Sequence, residues 1–396
     1  MELQAASASA MIGTGRALEQ ARASVPELPW GEHGLADVAL EWDDIEYNDE
    51  AERYEVQLAD GRVAVLTLDH GVQSHLESIQ SGYPEPGEAA VAIDVATGRV
   101  LGIADDSTGT SVGSGLARRA YAYAASTFKV ITAATLLTEG VASVTDEVCF
   151  SGGGSGFHLS SLDATSGELC VDMIHAMAHS SNLYFGRMAD QRLTPEVLER
   201  TARRFGYNTR IPFELPLERS IASIPDDRLE FARSAAGFRH TWLSPLHGAL
   251  IQASIANHGE MMVPTIVDHI EDAEGRVVWT HTPVVWRTVA QPAVITELAR
   301  TLSRTCVSGT ARNYFALRQG WPSSVVVQGK TGTLSNATVD GDQPDQSLLF
   351  TWFTGYADLG ARTVAVSGLV ASAPQWYTKG SYMAAEAVLA ASRMAD

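Results

Sequence analysis

Lysine is nearly missing from this 396-residue chain: there are three, at positions 129, 330 and 379, against 25 arginines. Basic charge as a whole is scarce, and the formal net charge of −19 excludes a nucleic-acid partner, because a phosphate backbone would be repelled. The acidic stretch EWDDIEYNDEAE at 41–52 reads as solvated surface. Long apolar runs are absent too. TVAVSGLVASA at 363–373 falls well short of the roughly 20 residues a bilayer span needs. The first twenty residues show neither a basic leader nor a continuous apolar stretch, so no signal peptide is expected. Cysteines number three, at 149, 170 and 306. No pair or Cys/His cluster has zinc spacing, so no metal and no other cofactor is expected. Cys149 and Cys170 could close a loop of about 20 residues, or all three could be buried thiols.

What is present has a clear order. RYEVQLADGRVAVLTLD (53–69) alternates on both sides of Asp60-Gly61 and predicts a hairpin. A short helix follows, and EAAVAIDVATGRVLGIADD (88–106) gives a second hairpin around Ala96-Thr97-Gly98. From about 120 to 320 the pattern is helical. In SPLHGALIQASIANHG, for example, Ser244 caps, Pro245 takes the first helical position, and the helix ends at Asn257 to Gly259. After 320 the period returns to two through SSVVVQGKTGTLS, SLLFTWFTGYADL and ARTVAVSGLVAS, before a closing helix. Strands at both ends imply one shared antiparallel sheet, with the helical middle inserted beside it.

Lys129 stands in a helix predicted from Ser126 to Glu139 that is apolar nearly all round and therefore buried. A buried lysine must be paired or lose its proton. Ser126, three residues earlier, shares its face, and a neutral lysine beside a serine hydroxyl is a general base next to its nucleophile. Arginine cannot take that role, because it keeps its proton near neutral pH. The plainer alternative is a capping Ser126 with Lys129 reaching outward. Two further motifs bear on the choice: S-x-N at Ser180 to Asn182, and K-T-G at Lys330, Thr331 and Gly332, followed by Thr333.

S-x-x-K, S-x-N and K-T-G in this order resemble the penicillin-binding proteins and serine β-lactamases. The resemblance extends over about 67 to 390, through TLDHGVQ, AAVAIDVATGRVLGIA, SPLHGALIQASIANHGEMMVPTIV and GTARNYF. It implies a five-stranded antiparallel sheet flanked by helices, with a large all-helical subdomain at about 120–320 inserted in a transpeptidase domain of 67–396. Residues 1–66 would be a short pedestal or lead-in.

By the same resemblance Ser126 attacks the D-Ala-D-Ala carbonyl of a peptidoglycan stem peptide. Lys129 takes its proton, Ser180 bridges Lys129 and the leaving nitrogen, and Asn182 holds the substrate amide. Lys330 adds positive potential. Thr331 and Thr333, beside Gly332, bind the substrate carboxylate, and the backbone N–H groups of Ser126 and Thr333 form an oxyanion hole. A second stem peptide then resolves the acyl-enzyme. β-Lactams would acylate the same serine, and a glycosyltransferase or another cell-wall synthesis protein could be a partner.

Asn182 departs from the S-x-V of class D β-lactamases. FELPLERS at 213–220 lacks the E-x-x-x-N spacing of class A, and the gap before K-T-G is long for a β-lactamase. The expectation is a D,D-transpeptidase; a D,D-carboxypeptidase, a serine β-lactamase or a non-turnover sensor of β-lactams or muropeptides are the alternatives. Such a protein works outside the cytoplasmic membrane, so this chain is expected to begin after a removed N-terminal anchor. GTSVG at 109–113 matches a hydrolase nucleophile elbow but lies in a Gly/Ser/Thr connector. His175 and His179 have zinc-ligand spacing, but Ala176 stands where a catalytic glutamate would be needed; they read as surface or packing residues. Lys379 reads as exposed.

Overall fold

The computed structural model describes residues 38, 40–80, 82, 85–106, 112–151, 157–163, 167–335, 348–373 and 377–394. Its main sheet has five strands: β1 (Gly87–Asp94), β2 (Val100–Asp106), β3 (Val326–Ser335), β4 (Leu349–Asp358) and β5 (Thr363–Ser372). Their spatial order is β3-β4-β5-β1-β2, and every pairing is antiparallel. The two ends of the chain therefore share one sheet, as the strand pattern requires. β5 lies in the middle and is buried on both faces, which explains its nearly continuous apolar sequence.

The period of two sorts the side chains. Ala89, Val91, Ile93, Ala365, Leu369 and Trp352 join one core cluster, on the face that meets the Pro245–Ala256 helix. Ala90, Ala92, Phe353, Val364, Val366 and Val370 join the other, against the helices His70–Gln80 and Gly380–Ala391. The cap predicted for the Pro245–Ala256 helix is in place: Ser244 accepts a bond from the His247 N–H.

The stretch 120–320 is mainly helical but not all-helical. Ala122–Tyr123, Thr241–Leu243 and Ile221–Ala222 form a small ribbon. Val267–Glu271 and Val277–Thr280 add to Glu46–Asn48, Arg53–Gln57 and Val63–Leu66, making a second five-stranded sheet. The predicted 53–69 hairpin is thus extended by a later one, and Arg53 clamps the two with a two-pronged bond to Glu271 at 2.9 and 2.7 Å. The alternation around the turn at Asp272 to Gly275 carried that signal; the helical neighbourhood concealed it.

Val148–Phe150 pairs with Leu169–Val171, placing Cys149 opposite Cys170, and the two are disulfide-bonded. Cys306 is a buried free thiol. Among the described residues no helix is long and apolar enough to cross a membrane.

Candidate active site

Three backbone features meet at one site. The first is a 3₁₀ turn, Ala125–Phe128, that runs into the helix Lys129–Thr138. The predicted helix therefore starts as a tighter coil, and this matters because residues three apart eclipse in a 3₁₀ turn. Ser126 and Lys129 face each other for that reason, and Lys129 Nζ donates to Ser126 Oγ at 2.7 Å.

The second feature is the junction of the helices Met173–Ala178 and Asn182–Arg192. The Ser181 N–H bonds back to the Ala176 carbonyl and the Ser180 N–H to that of Met177, a Schellman ending that puts Ser180 in the left-handed region, φ 58°. Glycine is the usual residue at that position, so keeping a hydroxyl there costs backbone strain, a pattern that clusters at functional sites. Ser181 then caps the next helix through the Tyr184 N–H, leaving Asn182 as its first residue.

β3 supplies the third. It is an edge strand of the main sheet, and its other side faces the Ser126 turn. Lys330 is paired with Thr354 and Gly332 with Trp352, so both point toward the helical side. Thr331 and Thr333 alternate to the opposite face. Thr331 is half-buried and Thr333 exposed.

The polar contacts are specific. Lys129 is fully buried, and its ammonium nitrogen has two further acceptors besides Ser126: Asn182 Oδ1 at 2.8 Å and the Ala236 carbonyl. Lys330, also fully buried, donates to Ser180 Oγ at 2.9 Å and to the Thr331 carbonyl at 2.8 Å. Ser180 is thus held by Lys330 through its hydroxyl, while its own N–H bonds to the Met177 carbonyl. Asn182 turns its oxygen to Lys129. Burial, and then the nearby Lys330, push the Lys129 amine well below the ordinary lysine range; burial brings Lys330 down to about 7. The Lys129 partners are all neutral oxygens, which orient an amine without forcing it to stay charged.

Sequence reasoning missed the Ala236 carbonyl, since a backbone oxygen carries no residue signature. The turn that presents it is built for close approach. Gly237 has φ 81°, and a side chain there would come 2.2 Å from the Ala125 carbonyl, so only glycine lets this segment lie against the Ser126 turn.

The other candidates fall outside this site. Ser111 of the elbow-like motif lies outside the described residues. His175 and His179 are exposed, with ring centres 4.4 Å apart. Among the described residues no group of three or more His, Cys, Asp or Glu is placed to hold a metal ion. Lys379 is half-buried rather than exposed and precedes the Gly380–Ala391 helix. In FELPLERS, Glu214 is buried and accepts from Thr265 Oγ1 and the Ile266 N–H, while Glu218 accepts from the Ala120 N–H.

Peptidoglycan D,D-transpeptidase PbpA of Mycolicibacterium smegmatis is 28% identical over 251 residues, 62% of this chain and 49% of that protein. Penicillin-binding protein 3 of Bacillus subtilis is 27% identical over 192 residues, 47% of this chain and 26% of that one. The chain thus spans half or less of the length of these relatives. Among solved structures, PBPA from Mycobacterium tuberculosis superposes with a TM-score of 0.65 at 21% identity, covering 82% of this chain and 80% of that one. Penicillin-binding protein 2B from Streptococcus pneumoniae gives 0.67 at 19%, covering 88% and 63%; at such identities the likeness is one of fold. The family model for the penicillin binding protein transpeptidase domain matches residues 88–392, most of the chain and all three motifs, and the chain belongs to that family.

Proposed function

We propose that this protein is a peptidoglycan D,D-transpeptidase working through an acyl-enzyme on Ser126. The observation that carries the reading is the threefold coordination of Lys129. In the neutral amine, two N–H bonds are taken up by Asn182 Oδ1 and the Ala236 carbonyl, so the lone pair is left for the Ser126 hydroxyl 2.7 Å away. Ser126 Oγ attacks the D-Ala-D-Ala carbonyl as its proton passes to Lys129. The C–N bond then breaks, and the departing D-alanine nitrogen takes a proton from Ser180, whose hydroxyl is held by Lys330 and resupplied from a lysine ammonium. The amine of a second stem peptide then attacks the ester carbonyl and gives up a proton to Lys129, as the Ser126 Oγ–C bond breaks and Oγ takes a proton back, leaving the crosslink.

Among the described residues no strand pairs with the outer edge of β3, which suits an extended peptide added as a further strand beside the Ser126 turn. Thr331, Gly332 and Thr333 lie along that edge, and the N–H groups of Ser126 and Thr333 would receive the oxyanion. Glu214 and Glu218 bond to Thr265, Ile266 and Ala120 rather than to Ser126, Lys129 or Ser180, which favours a transpeptidase over a β-lactamase. β-Lactams would be covalent inhibitors, and a partner that polymerises glycan strands fits the chemistry. The substrate places the protein outside the cytoplasmic membrane, and the Cys149–Cys170 disulfide suits an oxidising compartment. Residues 67–396 would form the catalytic unit, with 1–66 as its lead-in.

A fluorescent penicillin should label the protein covalently, and Ser126→Ala should abolish the label. An unlabelled wild type would sink the reading. Rapid hydrolysis of a chromogenic cephalosporin would reassign the protein as a β-lactamase, and D-alanine release without crosslinking as a carboxypeptidase.

A further inference from the structure

Thr310 belongs to none of the three motifs, yet it touches two of the elements that carry them. It lies in the turn-rich segment between the Pro292–Leu302 helix and β3. Its N–H donates to the Ala178 carbonyl at 3.0 Å, two residues before Ser180. The approach is close because Gly309 precedes it: a Cβ there would stand 2.3 Å from the same carbonyl. The neighbouring backbone is held from both sides, with the Gly309 N–H on the Arg304 carbonyl and the Ala311 N–H on that of Thr305. Cys306, Ala311 and Phe315 anchor the segment in the core. On this fixed backbone the Thr310 hydroxyl meets the Thr331 hydroxyl at 2.6 Å, and Thr310 itself is exposed.

We propose that Thr310 is a positioning residue that aims the Thr331 hydroxyl at the carboxylate of the acyl donor. This rests on the acylation reading above. The chemistry follows from counting protons. Two paired hydroxyls hold two, and one of them is used inside the pair. An anion at Thr331 accepts that residue's proton, which leaves the Thr331 oxygen to accept from Thr310. The chain Thr310 O–H to Thr331 O–H to carboxylate has one direction only, and each bond polarises the next. Without Thr310 the Thr331 hydroxyl is a free rotor that pairs equally well with water. A neutral group in the carboxylate position needs no such donor, so the contribution of Thr310 is confined to anionic donors.

The test compares acylation rates for benzylpenicillin and its methyl ester, read by mass spectrometry, in wild type, Thr310→Val and Thr310→Ser. Valine keeps the branched shape and loses the hydroxyl; serine keeps the hydroxyl. Thr310→Val is expected to slow the acid roughly tenfold and the ester less than about twofold, the size of one hydrogen bond to a charged group. Thr310→Ser should stay within about twofold of wild type for both. An equal fall for acid and ester in Thr310→Val marks a merely structural role and overturns the inference, as does an unchanged rate with the acid. A wild type acylated by neither compound overturns the acylation reading and this inference together; a wild type acylated normally beside an unselective Thr310→Val overturns the inference alone.

Discussion

Two lysines are buried at the candidate site, and the mechanism proposed above asks opposite charge states of them. In that mechanism Lys129 is the neutral amine, so acylation should fail as pH drops through its lowered pKa and the lone pair is lost. Lys330 acts as the cation, with its pKa lowered to about 7 by burial, so its charge fades as pH rises through that value. The second-order acylation rate, which reports the free enzyme, should therefore be bell-shaped for a carboxylate-bearing β-lactam, with an alkaline limb near pH 7. The methyl ester gains nothing from the cation and should lack that limb. Stopped-flow rates across pH 5 to 9 would decide; a shared alkaline limb would argue against the electrostatic role of Lys330. Lys129→Arg should abolish acylation at every pH, because the guanidinium keeps its proton.

At the scale of elements, the helix that starts with Asn182 is also tied to the disulfide ribbon. Arg187, on that helix, donates to the Cys149 carbonyl at 2.7 Å and to the Ser161 carbonyl at 2.5 Å. The Cys149–Cys170 bond closes a separation of 21 residues, which corresponds to about 3 kcal/mol in the chain-entropy picture. The paired substitution Cys149→Ser with Cys170→Ser should lower the melting temperature by several degrees while penicillin labelling survives, since Asn182 is held from the other side by Lys129. Calorimetry and labelling on the same sample check both halves. Loss of labelling at an unchanged melting temperature would mean that the ribbon acts on the site and not on stability. The strand at 326–335 was legible from its alternation and its K-T-G, but its place at the sheet edge was not, because edge or centre depends on which strands pair.

For the whole molecule, 47 acidic against 28 basic side chains leave an excess of negative charge that no set of ion pairs can absorb. Self-repulsion should then outweigh the surface pairs, each of which contributes little. Raising salt from about 10 to about 150 mM shortens the screening length from roughly 30 to roughly 8 Å. The melting temperature should rise by roughly 1 °C, the equivalent of about 1 kcal/mol in a protein of this size. A fall would show that attractive pairs such as Arg53 with Glu271 dominate instead.

The amino-acid sequence by itself determined the chemistry available. A lysine in an apolar helix, a serine three residues before it, and two more motifs in order named Ser126, Lys129, Ser180, Asn182 and Lys330, because side-chain identity and spacing are local properties. The terminal strands and the capped Pro245–Ala256 helix were readable for the same reason. Only the tertiary structure decided who bonds to whom. Ser180 goes to Lys330, Asn182 to Lys129, and the third acceptor of the base is the carbonyl of Ala236, 107 residues away. Backbone oxygens are alike at every position, and a hydroxyl such as that of Thr310 gains a partner only when the packed core brings two distant segments within 3 Å.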